Sequence, residues 1–522
     1  MDETPQQPRR PQDHDEPQAE VLEQGRGGPI AAQPRTSRRP AALVAGLGVL
    51  GLGLVGGAAF GAYWYLSDGA QAAEAFPADS VGYVGVTLDP SGQQKLAALE
   101  TLQEFPTIAD ELDLEGPLED VDVKRSIVEA VLEEAPCDLD YDDDVAPWLG
   151  ERFGAAAVPA GEALPSMVFA VEVTDPDAAD AGVRALLSCD GSDAESMAGW
   201  SVEGDWLLVA ETPEIVAEVA DAAAQGSLAD DEDFRRWTGE AGDEGVLTAY
   251  AAPEAPRVLS ESLGGMMGEA SLPGSDGMTS SYADGALDET FDDFEGMAAV
   301  LRFGDGALEI EAAGAAGDQA QALGGGAGEL VTGLPDDTAL ALAAGLGEGW
   351  SQALDEEVAS LPVDLEALLG DVAALAVGPD LDPDALLGAF FSGDLGDVPV
   401  AALTRGDLDE AEEAIAQAGP LAASLEAREA GDRILVGPSG PWLDAVEAGG
   451  SLGDSDLFTS VVPDADDAGM VAFLDLGVVA DLVDEAAPGV EEDRDLAQLG
   501  AVGASARVDG DVVRAVLRLT TR

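Results

Sequence analysis

The sequence predicts an α+β protein: a tandem duplication of one antiparallel-sheet-plus-helices lobe, preceded by one transmembrane helix. Three observations predict it. Ala41–Leu66 is a long run without a charged side chain, six stretches of the remaining chain recur in one order, and each copy alternates short apolar runs with helical periods.

The first 40 residues are rich in Pro, Gln, Arg and acids and lack apolar periodicity, so they read as a disordered cytoplasmic tail (1–40). Residues 41–66 follow as the membrane helix. As a helix the run reaches about 39 Å, more than the roughly 30 Å hydrocarbon core, so it spans with some tilt. Arg35, Arg38 and Arg39 flank its start, and Tyr63, Trp64 and Tyr65 form an interfacial belt at its end. The positive-inside rule then puts the N-terminus in the cytoplasm and residues from about 67 onward outside the plasma membrane, so the bilayer is the first partner. A cleaved signal peptide is the competing reading, because Ala70-Gln71-Ala72 is an A-x-A site. The run is much longer than a signal h-region of about 7 to 15 residues, which favours an uncleaved single-pass anchor.

Two extracytoplasmic lobes follow, 67–315 and 334–522, with a Gly-rich linker at 316–333. Phe76-Pro77 at the start of the first matches Leu334-Pro335 in the second, a proline turn entering a strand. "APWLGERFGAAAVP" from Ala146 matches "EALLGDVAALAVGP" from Glu366 at a constant offset of 220. "MVFAVEVTDPDAADAGVRALL" from Met167 matches "VPVAALTRGDLDEAEEAIAQA" from Val398: a strand, an acidic N-cap, then a helix. The stretches from Trp200 and Ala427 each read as two strands around a Gly-Asp turn, then a helix. Those from Gly226 and Gly450 put Phe234 on Phe458, and those from Gly296 and Val502 read as terminal hairpins. The middle of each unit therefore runs strand, helix, strand, strand, helix, strand, which predicts two sheets side by side with helices on one face of each. The first lobe adds two insertions, about Gln103–Asp144 and about Pro256–Glu295, the second bearing Met266, Met267 and Met278.

Charge excludes one class of partner. The 522 residues hold 23 basic and 104 acidic side chains, a net charge of -81. Nucleic acid is not a partner of such a chain, because phosphate neutralisation needs clustered Arg and Lys. Only Lys95 and Lys124 are lysines. A lysine-poor acidic surface suits concentrated salt, where screening removes self-repulsion, and equally suits a proteome drifting toward Ala, Gly, Asp and Glu.

"DVAPWLGERFG" from Asp144, together with "FPADSVGYVGVTLDPSGQQKLAALETLQEFP" from Phe76, resembles the actinobacterial membrane-anchored proteins that carry the domain of unknown function 3352. The resemblance covers nearly everything after the anchor. It implies a single-span cell-envelope protein, and no activity, cofactor or catalytic residue.

Candidate chemistry is sparse. Cys137 and Cys189 are the only cysteines, and a disulfide across their separation stabilises by about 4 kcal/mol on the chain-entropy model; two unrelated thiols are the other reading. Gly449–Gly453 fits G-x-S-x-G, but His14, the only histidine, lies in the cytoplasmic tail, so Ser451 has no relay partner. Ser451 aligns with Ser227, and both read as caps. Zinc lacks ligands outside. Asp138, Asp140 and Asp142 offer oxygens at alternate positions, a calcium set at most, set against a solvated acidic loop. No other cofactor is expected.

These readings predict a non-enzymatic interaction or scaffold module of the cell envelope. The alternative is a carrier that holds an apolar envelope ligand between its lobes. Scaffold, carrier and hydrolase differ in what they require: no cavity, a continuous apolar pocket, or two converging carboxylates.

Overall fold

The computed structural model describes residues 72–522, apart from 88–91, 106–121, 135–138, 161–164, 189–197, 260–293, 354–363, 390–394, 487–497 and shorter gaps between them. Among the described residues no helix is long and apolar enough to cross a membrane. The run Ala41–Leu66, with Arg35, Arg38, Arg39, Tyr63, Trp64 and Tyr65, lies outside them, as do Cys137, Cys189 and the three insertion methionines.

The strands of the first half are β1 (Gly82–Thr87), β2 (Leu149–Val158), β3 (Ser166–Val173), β4 (Gly199–Glu203), β5 (Trp206–Ala210), β6 (Leu247–Ala251), β7 (Met297–Gly304) and β8 (Ala307–Ala315). Those of the second are β9 (Leu323–Gly324), β10 (Leu340–Leu346), β11 (Val372–Val377), β12 (Val400–Thr404), β13 (Leu425–Ala430), β14 (Arg433–Pro438), β15 (Met470–Asp475), β16 (Leu499–Asp509) and β17 (Val512–Thr521). All pair antiparallel in one sheet, in the spatial order β4-β5-β3-β2-β1-β6-β7-β8-β17-β16-β15-β10-β11-β12-β14-β13, with β9 beside the end of β10. The expectation of two separate sheets is therefore corrected. β8 and β17 are the last strands of their halves and each offers an unpaired edge, which satisfies its N–H and C=O groups on the other.

One pairing pattern serves both halves. β1 lies between β2 and β6 as β10 lies between β11 and β15. Val81 N–H donates to Ala157 O (2.9 Å) and Ala339 N–H to Val377 O (2.9 Å). The hydroxyls of Ser80 and Thr338 each donate to the carbonyl three residues back, on Pro77 and Pro335, at 2.7 Å. Both Gly-Asp turns form as read: Gly204 (φ 63°) joins β4 to β5, and Gly431 (φ 74°) joins β13 to β14.

Helices pack on both faces, which corrects the expectation of helices on one face only. In chain order they are α1 (Gly92–Gln103), α2 (Val123–Glu134), α3 (Pro176–Leu187), α4 (Pro213–Ala223), α5 (Glu232–Glu240), α6 (Ala327–Thr332), α7 (Leu365–Leu369), α8 (Leu408–Ala418), α9 (Pro441–Ala448), α10 (Asp456–Val461) and α11 (Leu476–Ala486). Sequence sets their starts: Asp175 accepts from the N–H groups of Asp177 and Ala178 with Pro176 opening α3, and Asp407 accepts from Asp409 N at the start of α8.

One face, the core face, carries the two main cores. In the first half α4 and α5 cover it with Val216, Val219, Phe234 and Trp237; in the second α6, α9 and α10 do so with Leu330, Val331, Leu443 and Phe458. Phe234 stacks edge-to-face on Tyr83 (5.5 Å) and Tyr250 (5.2 Å), its counterpart Phe458 on Phe473 (5.3 Å), each contact contributing about 1 kcal/mol beyond area burial. Within the stretch read as a linker, 316–333, α6 buries Ala327, Leu330 and Val331, so the second core already begins at Ala327.

Where the halves meet, the core face carries a band of charge. Glu309 on β8 accepts from Arg518 Nε on β17 (2.6 Å) and from Arg302 Nη1 on β7 (3.1 Å), and Arg302 also reaches Glu311 (2.8 Å). Arg514 on β17 pairs with Glu240 at the end of α5, and Arg236 with Asp511. Three ion pairs thus cross the β8–β17 seam.

Candidate functional site

The other face of the sheet, the reverse face, is built differently. Side chains alternate along a strand, so cross-strand partners on one face form rows. One such row runs from Val202 on β4 through Phe153, Val86, Ile310 and Leu342 to Ala427 on β13. It takes one residue from each of sixteen strands, and every one is apolar.

A second row runs from Trp200 on β4 through Phe169, Val84, Ala299 and Ala515 to Ala373 on β11. These thirteen strands contribute no charged residue; the same register then runs on through Thr404 and Ile434 to the exposed Glu429 on β13, at the far edge of the sheet. A third, from Met167 through Gly82 and Met297 to Val508, crosses eight strands with apolar residues and glycine alone. Charged side chains make up 24% of the chain, so their absence from three rows is a segregation of charge away from this face.

Helices cover only part of it. α1 seals one end of the first half, with Ala98, Leu99 and Leu102 on Val86 and Phe303; α2 and α3 seal the same end farther along, with Leu132 and Val183 in a cluster with Leu207 and Trp148. The second row stays open: Phe169 is 51% and Val84 41% exposed, Met167 in the third row is 52%, and every member of the second row except Ala506 reaches solvent. In the second half Leu375 is 37% exposed in the sixteen-strand row. Four of the seven large exposed hydrophobics of the described chain lie here, so they form one surface and are not scattered singly. With neighbouring strands about 4.8 Å apart, the second row is about 58 Å long. Together the open rows offer on the order of 600 Å², the upper end of what monomers expose.

The residues predicted from sequence lie elsewhere. Asp140 caps a single π-helical turn, Tyr141–Val145, and accepts from the N–H groups of Asp142 and Asp143. The Asp142 carboxylate holds Arg125, whose guanidinium keeps it below the usual carboxylate range and lies 4.7 Å from the Tyr141 ring. Asp138 is outside the described residues, and among those described no group of three or more His, Cys, Asp or Glu gathers to hold a metal ion. Ser227 and Ser451 each precede a 3-10 turn, Leu228–Asp230 and Leu452–Asp454, without a side-chain cap bond; Ser227 Oγ meets Asp230 instead (3.2 Å).

A surface cleft of about 560 Å³ is lined by Glu74, Gln225, Ser227 and Asp230 among alanines. Its rim is polar and acidic, and it lies away from the apolar rows.

A family model described as "Protein of unknown function" (DUF3352) matches residues 47–387, more than half of the chain. The chain belongs to that family. The matched family region takes in the whole first half, the seam strand β8 and, in the second half, β10 and β11, so Met167, Phe169, Val84 and Leu375 all lie within it. No curated protein and no solved structure matches the chain.

The open rows went unrecognised in the sequence although a signal was present. "MVFAVEV" in β3 and "LALAAGL" in β10 are apolar at both parities, the pattern of strands with two apolar faces. Register was the missing information, because only cross-strand pairing turns separate strands into a surface.

Proposed function

We propose that the protein is a single-pass, membrane-anchored envelope protein of the actinobacterial type, with a cytoplasmic N-terminus and a non-enzymatic extracytoplasmic domain that binds through the reverse face of its sheet. The observation that carries this reading is the charge-free second row, thirteen strands wide and open to solvent in a chain of net charge -81. Large exposed apolar surfaces mark interaction sites.

Support for an uncleaved anchor comes from the last residue of the A-x-A site and the one after it. Ala72 and Ala73 are 2% and 0% exposed, and Ala73 N–H donates to the buried Tyr83 hydroxyl (3.1 Å). Burial pushes that phenol well up from its ordinary value, so it stays neutral. A chain cut after Ala72 would begin with an ammonium group in this site, at a cost of several kcal/mol, and would lose the methyl that fills the space beside Gly154 and Phe76.

Support for tandem duplication comes from the seam. Glu311, fifth in β8, pairs with Val516, fifth in β17, so a two-fold relation between the halves passes through that pair. An ancestral single lobe joining its terminal strand to a second copy would give this arrangement.

Native mass spectrometry of the full-length chain, extracted mildly from its own membrane, tests the reading. Wild type should carry added mass that a Phe169→Glu/Leu375→Glu variant of unchanged melting temperature lacks. A bare chain mass for wild type would count against the binding face. A mature N-terminus at Ala73 would remove the anchor from the account and leave the face to be judged separately.

A further inference from the structure

We infer that the occupant of the open reverse face is lipid hydrocarbon, drawn from the bilayer that holds the anchor. This rests on the reading of the protein as membrane-anchored through Ala41–Leu66, and it names the partner that the binding face takes.

Three observations point to hydrocarbon. The first is charge. A polar or charged partner would meet no counter-charge along the three rows from β4 to β11, the one charge in their register being Glu429 at the far edge of the sheet, whereas the core face at the seam, only the thickness of the sheet away, carries Arg302, Glu309, Arg514 and Arg518. An uncharged occupant leaves nothing on this face unpaired.

The second is texture. Protein-binding surfaces concentrate Trp, Tyr and Arg as anchors in pockets. The second row between Val84 and Ala344 holds only alanines and Met470, with Phe169 and Met167 projecting at one end. Single methyl groups at about 4.8 Å spacing make a smooth track without knobs. A flexible methylene chain can follow such a track, and the thioethers of Met167, Met297 and Met470 adapt to its course.

The third is distance. Only five residues, Ser67 to Gln71, separate Leu66 from Ala72, and Ala72 is already in the first core. Even fully extended they span about 20 Å. The domain is therefore fastened beside the bilayer by its own core, with lipid as the most concentrated apolar partner within reach and with little linker to carry it away. Like-charge repulsion between a domain of this acidity and an anionic lipid surface opposes docking of the whole face onto headgroups. It does not oppose transfer of uncharged acyl chains onto the track.

The experiment reconstitutes the full-length chain into vesicles of phosphatidylethanolamine and phosphatidylglycerol, with a tracer phosphatidylcholine bearing a photoactivatable diazirine at the end of one acyl chain. After irradiation, cross-linked peptides are mapped by mass spectrometry. The expected result is label in 41–66 and also in β1, β3 and β11, around Val84, Phe169 and Leu375. In Phe169→Glu, label in β3 and β1 should fall about tenfold or more, because a carboxylate is costly against hydrocarbon, while label in 41–66 is unchanged. Label confined to 41–66 would overturn the inference and leave the anchor standing; a protein occupying the face would give the same result and count against it equally. Label in neither region would overturn both.

Discussion

Glu309→Ala is the perturbation that tests how the two halves are held together. The Glu309 side chain is 13% exposed and sits between two guanidinium groups, Arg302 (17% exposed) and Arg518 (21%). Arg302 keeps Glu311 and the Ala241 carbonyl after the change, whereas Arg518 loses the carboxylate that holds it across the seam. Removing one member of a fully buried pair costs about 3–5 kcal/mol, and of an exposed pair about 0–1. With about a fifth or less of each side chain in contact with solvent, the loss should be about 2–3 kcal/mol. Asp511→Ala removes the partner of Arg236 across the same seam, but Asp511 is 85% exposed, so its loss should stay within about 0.5 kcal/mol. Urea unfolding of the full-length chain in detergent, followed by tryptophan fluorescence, measures both. Glu309→Met/Arg518→Met should recover most of the loss, since the β8–β17 ladder remains and no charge is stranded. A Glu309→Ala loss no greater than that of Asp511→Ala would refute the idea that the ion band joins the halves.

Three further outcomes follow from local physics. Gly204→Ala and Gly431→Ala should each cost about 1–2 kcal/mol through left-handed backbone alone, because nothing lies within 4 Å of the added carbon; Gly226→Ala, equally open but without a positive φ, should be near neutral by the same denaturation assay. Arg152 beside Glu172 holds its carboxyl below the usual glutamate range, so the pair stabilises above that range and its contribution disappears as the pH falls through the lowered value. The stability gap between wild type and Glu172→Gln, about 1 kcal/mol at pH 7, should therefore close toward pH 3; a gap that widens with acid would contradict the assignment. Finally, the melting temperature should rise between low and molar salt as screening relieves the repulsion of a net -81 chain, and a salt-independent value would contradict the screening argument.

Much of the fold was legible because local signals set local structure. The turns at Gly204 and Gly431 and the cap at Asp175 follow from residue type and spacing, and each formed as read. The union of the halves was not legible, since nothing in "GALEIEAAG" or "VVRAVLRLT" states that their edges complete one another. Glu309 and Arg518 are 209 positions apart, and only the antiparallel seam brings them together. The candidate surface was hidden for the same reason. Val84, Phe169 and Leu375 each look like an ordinary strand residue, and their shared face depends on the register of every strand between them. Asp140 and Asp142, which stood out in the sequence, spend their carboxylates on a cap and on Arg125.

The most direct test of the account is a fluorescence titration of the full-length chain in lipid nanodiscs with cis-parinaric acid methyl ester, whose polyene brightens when it leaves water, read as the excess over empty nanodiscs and over nanodiscs holding residues 1–71 alone. The account predicts saturable binding that Phe169→Glu weakens by about tenfold or more while the chain keeps its melting temperature. Equal binding by wild type and variant, or none by either, would contradict the claim that the reverse face of the sheet is where this protein meets its apolar partner.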